Sequence, residues 1–98
     1  MVLNRKDKDF LHKLVNKYGV IQLFVAVEEL SELQKELCKF FRGSPKIENI
    51  KEEIADVIIM LYQLKDYFMI EDKELQDIVK YKLERTKERL GFTNESKN

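Results

Sequence analysis

The chain of 98 residues has no tryptophan, one proline, one cysteine, one histidine and three glycines, and its 18 basic side chains cancel its 18 acidic ones. Each shortage excludes something. So few Gly and Pro punctuators argue against a β-sandwich, which needs frequent turns. A lone cysteine, Cys38, rules out an internal disulfide and suits a reducing compartment; among apolar neighbours it reads as a small buried side chain, not a reactive thiol. Balanced charge leaves no overall basic field to hold nucleic acid or an anionic membrane. No uncharged run approaches the ~18 residues needed to span a bilayer, and residues 1–6 carry charge without an apolar stretch behind it. The expectation is a cytoplasmic protein with neither nucleic-acid nor membrane partner. His12 has no second histidine and no cysteine placed to share a metal with it, so it reads as a solvated or core-edge side chain.

What is present is 44% hydrophobic and 37% charged residues, a mixture that suits long amphipathic helices. The length allows one domain over residues 1–98, small enough to gain from association with further copies. The pattern predicts an all-α, four-helix bundle-like fold. Asn4 can cap a first helix reaching Tyr18, where Gly19 stops it. A second helix spans residues 20–41, and its first half is apolar nearly all round, which calls for more than one packing neighbour. Ser44 and Pro45 read as N-cap and first residue of a third helix ending near Phe68. A fourth runs over residues 73–90 to Gly91, and residues 91–98 read as a frayed tail.

Two acidic pairs organise this pattern: Glu28-Glu29-Leu30-Ser31-Glu32 on the second helix and Glu53-Ile54-Ala55-Asp56 on the third. Residues i and i+3 lie on one helix face, so Glu29 with Glu32, and Glu53 with Asp56, can each present two carboxylates together. Glu32 precedes the end of its helix by about as many residues as Glu53 follows the start of the next. An antiparallel hairpin therefore brings both pairs to one height. Glu53 falls within the apolar arc of Val57, Met60 and Leu64, and Asp56 at its edge, whereas Glu29, Glu32 and Glu36 share an arc beside Leu33 and Phe40. Glu28 points elsewhere, towards Phe24. Clustered carboxylates repel unless a cation lies between them. Oxygen donors without His or Cys favour Mg²⁺, with Mn²⁺ as a substitute. A simpler account makes the second-helix acids a solvated face and Asp56 the partner of a buried Lys or Arg.

The EExxE and ExxD motifs formed by these residues, with Gln22-Leu23 before the first and the aliphatic run of residues 57–61 after the second, resemble those of the MazG-like, all-α nucleotide pyrophosphohydrolases. The likeness extends over about residues 19–89. It implies a MazG-type fold assembled as a homodimer or homotetramer. It further implies Mg²⁺ ligation by Glu29, Glu32, Glu53 and Asp56, with Glu28 beside the metal set or orienting the attacking water. The implied reaction splits a (deoxy)nucleoside triphosphate into monophosphate and pyrophosphate, a nucleotide-pool house-cleaning activity.

A triphosphate needs cations as well as metal. On the fourth helix, Leu75, Ile78, Val79, Leu83, Thr86 and Leu90 form an apolar stripe, with Lys82 and Arg89 inside that arc and Arg85 at its margin. Basic residues facing a core are unusual. The resemblance makes Lys82, Arg85 and Arg89 phosphate contacts; the alternative is that they favour the helix C-terminus or pair with the acids, while Lys80 and Lys87 are solvated. Phe24, Phe40, Phe41, Tyr62, Tyr67, Phe68 and Tyr81 read as core or subunit interface. The rival to the enzyme is a non-enzymatic helical interaction module held by interhelical ion pairs. A di-iron carboxylate bundle ranks last, because it wants Glu-x-x-His motifs that the chain lacks.

Overall fold

A computed structural model of the chain describes residues 2–92 and contains four helices. These are α1 (Arg5–Tyr18), α2 (Ile21–Phe41), α3 (Ile47–Tyr67) and α4 (Asp72–Arg89), with no strand among the described residues. Of the frayed tail expected over residues 91–98, residues 93–98 lie outside the described residues. No helix is long and apolar enough to cross a membrane.

The helix ends follow from local chemistry. Asn4 Oδ1 accepts the Asp7 N–H at 2.8 Å while Asp7 Oδ2 accepts the Asn4 N–H at 3.1 Å, a reciprocal cap that satisfies two otherwise orphaned donors. Glu71 and Glu74 repeat the device at the start of α4. At the end of α2, Gly43 adopts φ 84°, its N–H meets Phe40 O at 3.1 Å, and the Ser44 N–H meets Lys39 O at 3.0 Å. This pair of bonds closes the last turn. The expected start of α3 is corrected: the helix begins two residues beyond Pro45, after an extended Lys46 with no side-chain cap.

The same closure ends α3, but with Met69 in the left-handed position at φ 57°, the one described non-glycine residue of positive φ. Ile70 N–H reaches Lys65 O at 2.9 Å. Lys65 Nζ then donates to Ile70 O at 3.2 Å and pairs with Asp72 Oδ1 at 3.1 Å. One side chain thus ties the end of α3 to the start of α4.

α2 and α3 form a long antiparallel hairpin, and α1 lies mainly against α3. Leu11 and Val15 of α1, Ala26 of α2, and Val57 and Met60 of α3 are the buried apolar residues. His12 bridges α1 to α3, with Nδ1 2.7 Å from Asp66 Oδ2 and Nε2 3.1 Å from Asn16. α4 differs: none of its Cα atoms comes within 8 Å of another helix, and none of its residues is buried. The expectation that the α4 stripe faces a core is therefore corrected for the single chain. Leu75, Ile78, Val79, Leu83 and Leu90 are exposed, as are Lys82, Arg85 and Arg89. Of the aromatics expected in a core or a subunit interface, Phe24, Phe40, Phe41, Phe68 and Tyr81 are exposed in the single chain and so not in its core, and Tyr62 and Tyr67 are half-buried. Cys38, too, is exposed and not buried. The radius of gyration, 16.8 Å, exceeds the about 12.5 Å expected of a compact chain this long.

Candidate metal centre

The face that α2 turns to α3 carries polar residues at seven-residue intervals, Gln22, Glu29 and Glu36, and α3 answers in reverse order with Gln63, Asp56 and Asn49. Gln22 Nε2 donates to Gln63 Oε1 at 2.7 Å. Glu29 and Asp56 bring carboxylate oxygens within 4.8 Å of each other. Asn49 stands beside Glu36, close enough to favour its charged form. Seven residues advance a helix about 10.5 Å, two turns, so the three polar pairs recur on one seam. Ala26, Val57 and Met60 are buried between them.

The middle pair is the centre of the acidic cluster. Glu29, Glu53 and Asp56 each place one carboxylate oxygen within 4.8 Å of the others, and all three are half-buried. Glu53 Oε2 is buried without a hydrogen-bond partner. Burial and then the charge of Asp56 push the Glu29 carboxyl above its usual pKa, helped by the hydrogen bond to Asp56 and the charges of Glu53 and Glu32. Glu53 is likewise pushed up, by burial first and then by Asp56, Glu32, Glu36 and Glu52.

Oxygen donors alone, converging at this spacing, fit a hard divalent cation. Bonds of about 2.1 Å put the ligand oxygens of octahedral Mg²⁺ roughly 3–4 Å apart, a separation that small side-chain rotations reach from the observed one. The orphaned Glu53 oxygen gives the same indication, because a buried acceptor without a donor is costly unless something positive meets it.

Among the residues singled out in the sequence, Glu29, Glu53 and Asp56 come together. Glu32 stays exposed outside the tight set, although its charge is felt by both Glu29 and Glu53. Glu28 is exposed. Lys82, Arg85 and Arg89 are not brought to the acids, and among the described residues no ion pair joins α4 to the acids of α2 or α3. Lys87, expected to be solvated, pairs with Glu84 at 3.4 Å.

Two residues without an assigned role stand at the ends of the seam. Gln63 is 3% exposed. Glu36, 7% exposed, receives Lys39 Nζ at 3.1 Å on Oε2, which holds its carboxyl below the usual range, and leaves Oε1 unpartnered. The mirrored spacing of residues 22, 29 and 36 with 49, 56 and 63 is the signal that finds them. Compared with protein-family models, curated proteins and solved structures, the chain matches none.

Proposed function

We propose that the chain is a Mg²⁺-dependent nucleoside triphosphate pyrophosphohydrolase that converts a (deoxy)nucleoside triphosphate to the monophosphate and pyrophosphate. The observation that carries this reading is the convergence of Glu29, Glu53 and Asp56 within 4.8 Å inside a helical seam, where a purely structural interface would place apolar or oppositely charged partners. The EExxE and ExxD resemblance supplies the reaction class.

In this reading Glu29, Glu53 and Asp56 hold the cation, and Glu32, one turn after Glu29, supplies a further carboxylate from the exposed side. Bound Mg²⁺ supplies Lewis-acid polarisation of the phosphoryl oxygens and offsets charge on the departing pyrophosphate. Glu28, exposed on the same turn, orients the attacking water or supports the ligand set. Lys82, Arg85 and Arg89 contact phosphate only in an assembly, a homodimer or homotetramer, that carries α4 to an acidic pair. The alternative, an interaction module held by ion pairs between α4 and the acids, has no such pair in its favour among the described residues.

The test is incubation of the protein and of Glu53→Gln with Mg²⁺ and a nucleotide panel, with monophosphate and pyrophosphate quantified. Metal-dependent release of both by the parent chain and not by the variant is the expected result. Orthophosphate as direct product, or equal turnover by the variant, sinks the reading.

A further inference from the structure

Four lysines among the described residues are half-buried, and three of them have a carboxylate. Lys39 meets Glu36 at 3.1 Å, Lys65 meets Asp72 at 3.1 Å and Lys87 meets Glu84 at 3.4 Å. Lys8 is the exception. It has no ion pair among the described residues, and its Nζ stands 5.9 Å from the centroid of the Tyr62 ring. Lys65 Nζ lies 5.2 Å from the same centroid. A ring face is a weak substitute for a counter-ion, and lysine is seldom withdrawn from water unpaired.

Both ammonium groups line a groove of 330 Å³. Its other walls are Val2 and Leu3 ahead of α1, Ile58, Leu61 and Tyr62 of α3, and the first turn of α4 with Asp72 and Leu75. Spacings of three, four and seven residues put Ile58, Leu61, Tyr62 and Lys65 on one face of α3, on the opposite side of the helix from Asp56 and Gln63. The charges do not balance: two ammonium groups stand against one carboxylate, Asp72, which Lys65 already engages. The walls thus carry one surplus positive charge beside mainly aliphatic surface. A matching occupant has one negative charge and an aliphatic body. A phosphate brings more charge than Lys8 alone can meet, and the groove offers no arginine fork to share it. The volume is at the small end for ligand sites. At roughly 30 Å³ per methylene-sized group it admits a chain of about ten carbons.

We infer that this groove binds an aliphatic monocarboxylate of medium chain length, with its carboxylate on Lys8 Nζ and its chain along Ile58, Leu61 and Leu75. The bound carboxylate gives Lys8 the partner that the other three half-buried lysines find within the chain. Because the walls come from the N-terminal segment, α1, α3 and α4, the occupant also fastens the start of α4 where Lys65 ties it to α3. The inference stands independently of the catalytic reading, because it uses no residue of the acidic cluster and no turnover.

Titration calorimetry of the intact, metal-free chain with decanoate tests it, and one saturable site per chain is the expected result. Butanoate, which keeps the charge and loses the chain, should bind at least about tenfold more weakly, as should decylammonium, which keeps the chain and reverses the charge. Lys8→Gln should weaken decanoate binding at least about tenfold, and Leu61→Ser, at a half-exposed position, should weaken it too, both with unchanged helicity by circular dichroism. Lys13→Gln, at an exposed lysine of the same helix, should leave the affinity as it is. Absence of saturable decanoate binding, as when a second copy of the chain covers the groove, overturns the inference. So does decylammonium binding as tightly as decanoate, which would mean a bare apolar patch. Equal affinity in the parent and Lys8→Gln overturns it as well, and so does an equal loss in Lys8→Gln and Lys13→Gln, which would mean overall charge alone.

Discussion

The seam between α2 and α3 and the outer ridge of α4 hold opposite things from what solvent alone would select. In the seam, three carboxylates sit half-buried among Ala26, Val57 and Met60; on α4, Val79 and Leu83 stand more than half exposed beside the cations. Both arrangements are costly, one in desolvated charge and the other in hydrated apolar surface. They teach different lessons. Buried charge of one sign points to a small counter-charge that enters the seam, and apolar surface on a helix without neighbours points to a large partner that covers it. In the single chain neither the half-buried carboxylates nor the exposed α4 stripe lies where its chemistry favours it.

The contrast breaks most easily at the acids. Glu53→Gln and Asp56→Asn should lower pyrophosphate release about a thousandfold, three times 1.36 kcal/mol in barrier, with helicity by circular dichroism unchanged. Retained activity would remove the seam from the chemistry. Next, Mg²⁺ at a hundredfold excess over its Kd should stabilise the parent chain by about 2.7 kcal/mol, read from thermal melts with and without EDTA, and should do far less for Asp56→Asn. Gln63→Ala, which empties a buried position and strands the Gln22 amide, should cost about 2 kcal/mol in denaturant unfolding while leaving metal-dependent turnover in place.

The pH dependence of the metal-free chain sharpens the comparison further. Glu29 and Glu53 are held above the ordinary carboxylate value of 4.5, so the folded state takes up their protons before the unfolded chain does as pH falls. Stability should therefore rise as pH drops from neutrality through their folded pKa values. Glu36 works the other way: its carboxyl is held low by Lys39, and its contribution, present above 4.5, is lost as pH falls through its folded value. Melting temperatures from pH 7 to pH 4 should show the rise, and saturating Mg²⁺ should abolish it. The smallest effect belongs to His12→Gln, since an exposed ion pair such as His12 with Asp66 contributes less than about 1 kcal/mol.

Helix count, the Asn4 cap, and the meeting of Glu29 with Glu53 and Asp56 were legible in the sequence because each depends on spacing along a helix and on one short turn. The start of α3 was not: Ser44-Pro45 carries a genuine start signal, yet the chain stays extended at Lys46 and the helix begins at Ile47. Nor was the placement of Lys82 and Arg89. A wheel tells which residues share the stripe with Leu83, and nothing in it tells whether the neighbour facing that stripe is in the same chain. Nor was the depth of Glu32, which is exposed while Glu29 is half-buried, since i and i+3 share a face without sharing a depth.

The connection between α2 and α3, residues 42–46, has a consequence for the seam beyond reversing the chain. Sliding the hairpin by one heptad would set Gln22 against Asp56 and Glu29 against Asn49, amide against acid at both levels, a gentler pairing than acid against acid. Such a slide would require the last turn of α2 to unwind, because five residues closed by the Gly43 turn have no slack. The chain is thereby denied its electrostatically easier alignment. Lengthening this strap with a few flexible residues should release the acids from one another, so that a segment of five residues governs whether Glu29, Glu53 and Asp56 meet at all.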